Sequence, residues 1–249
     1  MIDIKEFEIP ENVLKVLLKD HTTGMNILCV TDQYGYSTDS QIDIGQIISV
    51  DAIKPRVLKS QEEKKYRTDT KAEVFTPYEI VRKMNDQVER DLTDMEYICN
   101  KVLEVTCGEA PFLATRYHMD SGEEIPVTER TGLLDRKLDR IKASTSEEWC
   151  RMADLCLKAT YGYEWQADSL FLARENLFLD VVEHYRHVFG SVPEERWLKQ
   201  WAHVISWNVI RMDGISMCVP ETEIPAMVMD WESNNKVRFD GKEEEKGLW

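Results

Sequence analysis

From residue 73 onward, apolar positions switch repeatedly between helix-like and strand-like spacing. "TPYEIVRKMNDQVERDLTDM" (76–95) has helical spacing, with Thr76 as N-cap, Pro77 at the first helical position and Glu79 three residues after the cap. "KVLEV" (101–105) is a short apolar run that reads as a strand, followed by a turn and a helix from about Pro111. Residues 118–130 form an acidic loop or hairpin, and 131–144 a short strand and helix. Ser146 caps "EEWCRMADLCLKATY", a helix with acids in its first turn. "GYEW" (162–165) is a short strand. The next segment, 168–189, is a long helix with Leu170, Ala173, Leu177, Val181 and Tyr185 along one face and Gly190 as its stop. A further helix covers "PEERWLKQWAHVISWNVI", and "AMVMDW" (226–231) is a candidate strand. Helices alternating with strands predict an α/β fold with a mainly parallel sheet.

The first 53 residues differ. "ENVLKVLLKDH", "MNILCVTD" and "QIDIGQIISV" predict a small N-terminal α+β unit, 1–53. Residues 54–72 are polar and basic, a linker or exposed arm. The main domain runs over 73–240, and 241–249 is a polar, flexible tail.

Composition narrows the class. With 249 residues and 43% hydrophobic content, the chain can build one large domain or a domain with an appendage. No apolar run approaches the ~20 residues needed to span a bilayer. The acidic start "MIDIKEFEIPEN" lacks an apolar signal core, so a cytoplasmic location is expected. The six cysteines show no C-x-x-C and read as reduced thiols. His184 and His187 lie three apart on a helix, where a surface reading is preferred to a zinc site, and no metal is expected. Trp197, Trp201 and Trp207 fit a core-facing helical stripe. The net charge of −15 weighs against a nucleic-acid footprint. Basic residues nevertheless gather twice: Lys54, Arg56, Lys59, Lys64, Lys65, Arg67 and Lys71, then Arg130, Arg136, Lys137, Arg140 and Lys142. Each group reads equally as a solvated face or a binding patch.

The candidate chemistry lies in "LEVTCGEAPFL" (103–113), a strand, an acid and a glycine turn. Backbone at such a turn can approach a nucleotide-like ligand beyond the strand's carboxyl end. Three more segments join it in order: "AEVFTPYEIVRKM" (72–84), "YGYEWQADSLFLARENLFL" (161–179) and "NVIRMDGISMCVP" (208–220). Together they resemble the motif set of amino-group (N6-adenine) DNA methyltransferases of restriction–modification systems. The chain is most similar to the small "restriction endonuclease subunit M" kind.

The resemblance implies a Rossmann-like S-adenosylmethionine-dependent methyltransferase sheet. It places the cofactor against Phe75, Thr76, Glu104, Thr106, Gly108, Phe112, Glu164 and Asp213, with Glu164 on the ribose hydroxyls and Asp213 near the adenine. Asp135 is a rival for the ribose position, because its distance from Glu104 is nearer the usual ~20 residues. The implied substrate is double-stranded DNA, and the implied reaction is direct methyl transfer to an adenine N6. Two departures matter. Ala110 stands where the family has a second glycine, and Val105 where it has a proline. No [N/D/S]-P-P-[Y/F] element, which grips the flipped base, follows Asp213. The nearest substitute is Asp230 with Trp231; Asp32 and Tyr34 are a second candidate that needs a permuted order. Only residues 231–249 follow Asp230, too few for the sheet's last strands, which would come from residues 1–53 or a partner subunit. Two functions therefore compete: an adenine-N6 methyltransferase, and a catalytically degenerate methyltransferase-like subunit that binds DNA or a partner protein.

Overall fold

The computed structural model describes residues 9–27, 42, 53–71, 73, 74, 76–88 and 91–239. Helix α1 spans Glu11–Leu17, α2 Gln61–Lys71, α3 Tyr78–Val88 and α4 Asp94–Cys99. Strand β1 follows at Val102–Glu104, then helices α5 (Leu133–Asp139) and α6 (Ser146–Lys158). Strand β2 is Thr160–Glu164, α7 is Ala167–Phe189, α8 is Glu195–Asn208 and β3 is Val209–Arg211. Strands β4 (Met227–Asp230) and β5 (Asn235–Arg238) close the described chain.

The alternation produces an α/β fold. β1, β2 and β3 form a parallel sheet in that order, with Glu104 beside Gly162 and Glu164 beside Arg211. Each crossover carries two helices, the connection that parallel pairing requires. β4 and β5 form a separate antiparallel hairpin. Among the described residues, no helix is long and apolar enough to cross a membrane.

α7 is the centre of the molecule. The expected face of Leu170, Ala173, Leu177, Val181 and Tyr185 is buried, but so is nearly every other position from Ala167 to Tyr185. A helix covered on all sides belongs in a core. Its polar side chains therefore need internal partners. Arg174 donates to the carbonyls of Leu17, Lys19, Ser206 and Val209, at 2.7–2.9 Å. Gly190 ends the helix in the left-handed conformation expected of it, φ 67°. The tryptophan stripe also points inward: Trp201 is fully buried, and Trp149, Tyr185, Phe189 and Trp197 pack around it.

Several boundaries move. Thr145, not Ser146, is the N-cap of α6, its hydroxyl accepting from the Glu148 N–H. β3 takes the last residues of the segment expected to be entirely helical, because Val209, Ile210 and Arg211 complete the sheet. The α+β unit does not stand apart where it is described. Val13, Leu17, Leu18, Ile27 and Ile42 belong to the same apolar cluster as Leu170 and Trp201, since α1 packs on α8. Cys29, Asp32, Tyr34 and the strands expected near them lie outside the described residues, as does the tail.

The basic segment is not a free arm. Arg67 of α2 is fully buried and pairs with Asp168, in the first turn of α7, at 2.8 Å, and with Glu73. Arg56 pairs with Glu73 at 2.9 Å. The second basic group is likewise absorbed. Arg130 and Lys137 are buried, Arg136 pairs with Asp86, Lys142 pairs with Asp94, and Arg140 lies over the Tyr97 ring. Most of these arginines pair with carboxylates of the fold, and Lys137 donates to the Asn100 and Ala159 carbonyls.

Candidate functional site: the strand tips

The carboxyl ends of β1 and β2 meet at the stretch Glu104 to Ala110. Three residues there take positive φ: Thr106 at 48°, Gly108 at 55° and Ala110 at 59°. Only the middle one is a glycine. At Ala110, the missing second glycine, an alanine holds the left-handed shape at a cost of about 1 kcal/mol. A side chain added at Gly108 would meet nothing within 4 Å, so the bend opens outward there. Beneath it, Cys107 is buried and fills the space beside Gly162, where an added Cβ would lie 3.2 Å from its Sγ. Burial, then Glu104 and Glu164, push its thiol well up from its ordinary value, so Cys107 is a packing residue rather than a nucleophile.

Glu164 is aimed at the bend. Its Oε2 accepts the Gly108 N–H at 2.8 Å and its Oε1 the Gln166 N–H at 2.9 Å. Glu104 accepts the Phe112 N–H through Oε1 at 3.4 Å, while its Oε2 is sealed from solvent and has no hydrogen-bond partner. Burial raises both carboxyls above their usual range, and Glu164 raises Glu104 further. Two carboxylates and an open glycine thus share one end of a parallel sheet, where α/β proteins hold ligands.

The chain after the bend departs from expectation. No helix starts at Pro111; a single turn closes with the Ala114 N–H on the Ala110 carbonyl at 3.0 Å. The next N–H, from Thr115, goes to the Asp135 carboxylate at 2.9 Å rather than up a helix. The bend therefore has no helix N-terminus behind it. Glu109 is buried, accepting the Arg56 N–H and the Tyr117 hydroxyl. A shallow cleft of about 10 Å³ lies on that side, lined by Thr76, Tyr78, Glu109, Pro111 and Asn176 among others. It has room for about one water and is far smaller than a ligand pocket.

The other expected residues are scattered. Thr106 is exposed, its hydroxyl turned back to the Val105 carbonyl. Phe112 is half-buried and Thr76 lines the cleft; Phe75 lies outside the described residues. Asp213 is tied into its own turn, accepting from Ile215 N and Ser216 Oγ, which hold its carboxyl below the usual value. Asp135, the rival for the ribose position, is fully buried, with Oδ2 accepting from Thr115 and Gly132.

Asp230 and Trp231 lie at the opposite end of the sheet. Trp231 donates to Asn208 at 2.8 Å, the residue that precedes β3. Asn208 in turn donates to the carbonyls of Leu157 and Thr160, where β2 begins. Asp230 closes the β4–β5 turn, accepting from Glu232 N and Ser233 Oγ. An antiparallel hairpin carries these residues to the amino end, whereas Glu104 and Glu164 mark the carboxyl end, so the structure does not bring the two groups together.

Sequence reasoning also missed a second polar centre. His184 is buried rather than on the surface, and it faces Asp135 and Asp180 across the α5–α7 contact. Asp135, Asp180 and His184 carry ligand atoms that all lie within 4.8 Å of one another. The one signal was the i, i+4 spacing of Asp180 and His184 on one helix face.

Compared with known proteins, the chain matches no family model, no curated protein and no solved structure.

Proposed function

We propose that the chain is a catalytically degenerate, Rossmann-like methyltransferase subunit. It holds S-adenosylmethionine at the tips of β1 and β2 and acts with DNA or a partner protein. The observation that carries this is the Glu164 carboxylate at the end of β2, 2.8 Å from the amide of an outward-facing Gly108. Glu104 Oε2, buried and without a partner, is an acceptor suited to a cationic or hydroxyl-bearing ligand. A bound cofactor would supply an electrophilic methyl group. Glu104 and Glu164 would orient it through its amino and hydroxyl groups. The placement of Asp230 and Trp231 at the far end favours the degenerate reading over the complete adenine-N6 methyltransferase.

Calorimetric titration with S-adenosylmethionine tests the site. Binding is expected, and Glu164→Ala weakens it by about 1–3 kcal/mol, the cost of an unpaired polar partner. No heat at millimolar cofactor sinks the proposal. Methylation of plasmid DNA then separates the two functions. Transfer by the chain alone restores the enzyme reading, and transfer only with a second chain supports the subunit.

A further inference from the structure

The contact between α5 and α7 has features of a site rather than of packing. Asp135 offers Oδ2 to three donors: Thr115 N at 2.9 Å, Gly132 N at 2.9 Å and Thr115 Oγ1 at 3.1 Å. Those bonds fix the carboxylate, yet its other oxygen, Oδ1, is buried with no hydrogen-bond partner. Asp180 Oδ2 and His184 Nε2 are in the same condition. Asp135 and Asp180 are 0% exposed and His184 4%. Leaving one buried polar atom unsatisfied is rare in native proteins, and three together on facing elements call for a common cause.

The histidine tautomer is set locally. Nδ1 lies 2.9 Å from the Asp180 carbonyl and donates to it. Nε2 then presents a lone pair, the form in which imidazole binds a metal, with its other nitrogen held by a hydrogen bond. The separations point the same way. Nε2 lies 3.8 Å from Asp135 Oδ1 and 3.7 Å from Asp139 Oδ1. Both exceed hydrogen-bond reach. They match two ligand atoms spanned by one ion at the ~2.0–2.2 Å bond lengths of a zinc site.

Charge agrees with geometry. Arg116 and Arg130 face Glu183, and Arg130 also faces Asp180, at 2.5–2.8 Å. Four carboxylates of the seam, Asp135, Asp139, Asp180 and Glu183, thus meet two guanidinium groups. The seam is therefore rich in acids.

We propose that Asp135, Asp180 and His184 bind a divalent transition-metal ion, with Asp139 as a fourth ligand at the solvent edge. A mixed nitrogen and carboxylate set favours zinc-class ions over magnesium or calcium. Its ligands join α5 to the middle of α7, so the ion is a structural clasp.

The test uses the full chain, stripped with chelator and titrated with Zn²⁺ by calorimetry and with Co²⁺ by visible absorption. One equivalent is expected, with ligand-field bands for Co²⁺. Melting temperature should rise by about 5 °C or more at a hundredfold excess over Kd. His184→Gln abolishes uptake. Asp139→Asn, a change at an exposed position, leaves the fold intact and weakens binding about tenfold or more. Should His184→Gln fail to fold, ¹⁵N spectra of the wild-type histidines take its place, with the His184 Nε2 resonance moving on Zn²⁺ addition. No stoichiometric uptake overturns the proposal. Undiminished binding by folded His184→Gln, or an unmoved Nε2 resonance, does so as well. A proton shared by Asp135 and Asp180 in place of a metal would appear as the first of these outcomes.

Discussion

Glu164 at the strand tips and Asp135 in the α5–α7 seam are both buried acids, yet their neighbours treat them differently. Glu164 has a backbone donor on each oxygen, Gln166 on one and Gly108 on the other. Asp135 has three donors on one oxygen and none on the other. The tip closes on itself through main-chain hydrogen bonds and keeps one open direction, at Gly108. The seam gathers more carboxylates than guanidinium groups around an unpaired Asp135 oxygen. Acidic residues in sequence look alike in the two places. The supply of donors around each oxygen separates a carboxylate with both oxygens bonded from one with an oxygen left unpaired.

The sharpest way to break this comparison is to disturb the charge balance of the seam. Arg130→Met leaves Asp180 and Glu183 with one guanidinium fewer, and about 3–5 kcal/mol of stability should be lost. Urea unfolding reads this directly. A loss below 1 kcal/mol would mean that Arg130 does not carry the ion pairing of Asp180 and Glu183.

A control comes from His21, a half-buried polar group outside both regions. His21 stacks on Trp207 with ring centroids 3.9 Å apart and holds Ser206 Oγ at 2.8 Å. Burial, then Arg174, lowers its pKa from 6.5 to about 3. Between those values the unfolded chain takes up a proton that the folded chain refuses. His21 therefore contributes a loss of stability as pH falls from 6.5 toward 3. His21→Phe keeps the stack and removes this contribution. The variant should gain on the wild type as pH falls from 6.5 to 4, in paired denaturation curves. A constant gap would place the acid sensitivity elsewhere.

The smallest effect is expected at the tip. Ala110→Gly relieves the φ of 59° but frees the unfolded chain. The two nearly cancel, so stability should change by no more than about 0.5 kcal/mol. A destabilisation above 1 kcal/mol would show that the buried methyl, not the backbone, sets this position.

Much of the fold was legible because it rests on local regularities. The apolar run at "KVLEV", the strand around Glu164 and the long helix ending at Gly190 each follow from spacing and caps that neighbours in sequence supply. The proximity of Glu164 to Gly108 was also legible, through the order of the motifs. The helix expected at Pro111 was not there, since Thr115 gives its N–H to Asp135, a residue twenty positions on. Lys54–Lys71 read as an arm because Asp168, the partner of Arg67, lies far along the chain.

The sequence by itself determined the α/β alternation, the strand tips and the helix ends, since each depends on residues within a turn or two. Only the packing placed Asp230 and Trp231 at the amino end of the sheet, away from Glu104 and Glu164. It also buried Arg67 against Asp168 and Arg130 against Asp180, and turned His184 inward to meet Asp135. Those outcomes depend on which distant groups share a small volume of low dielectric, where an unmatched charge or lone pair is costly.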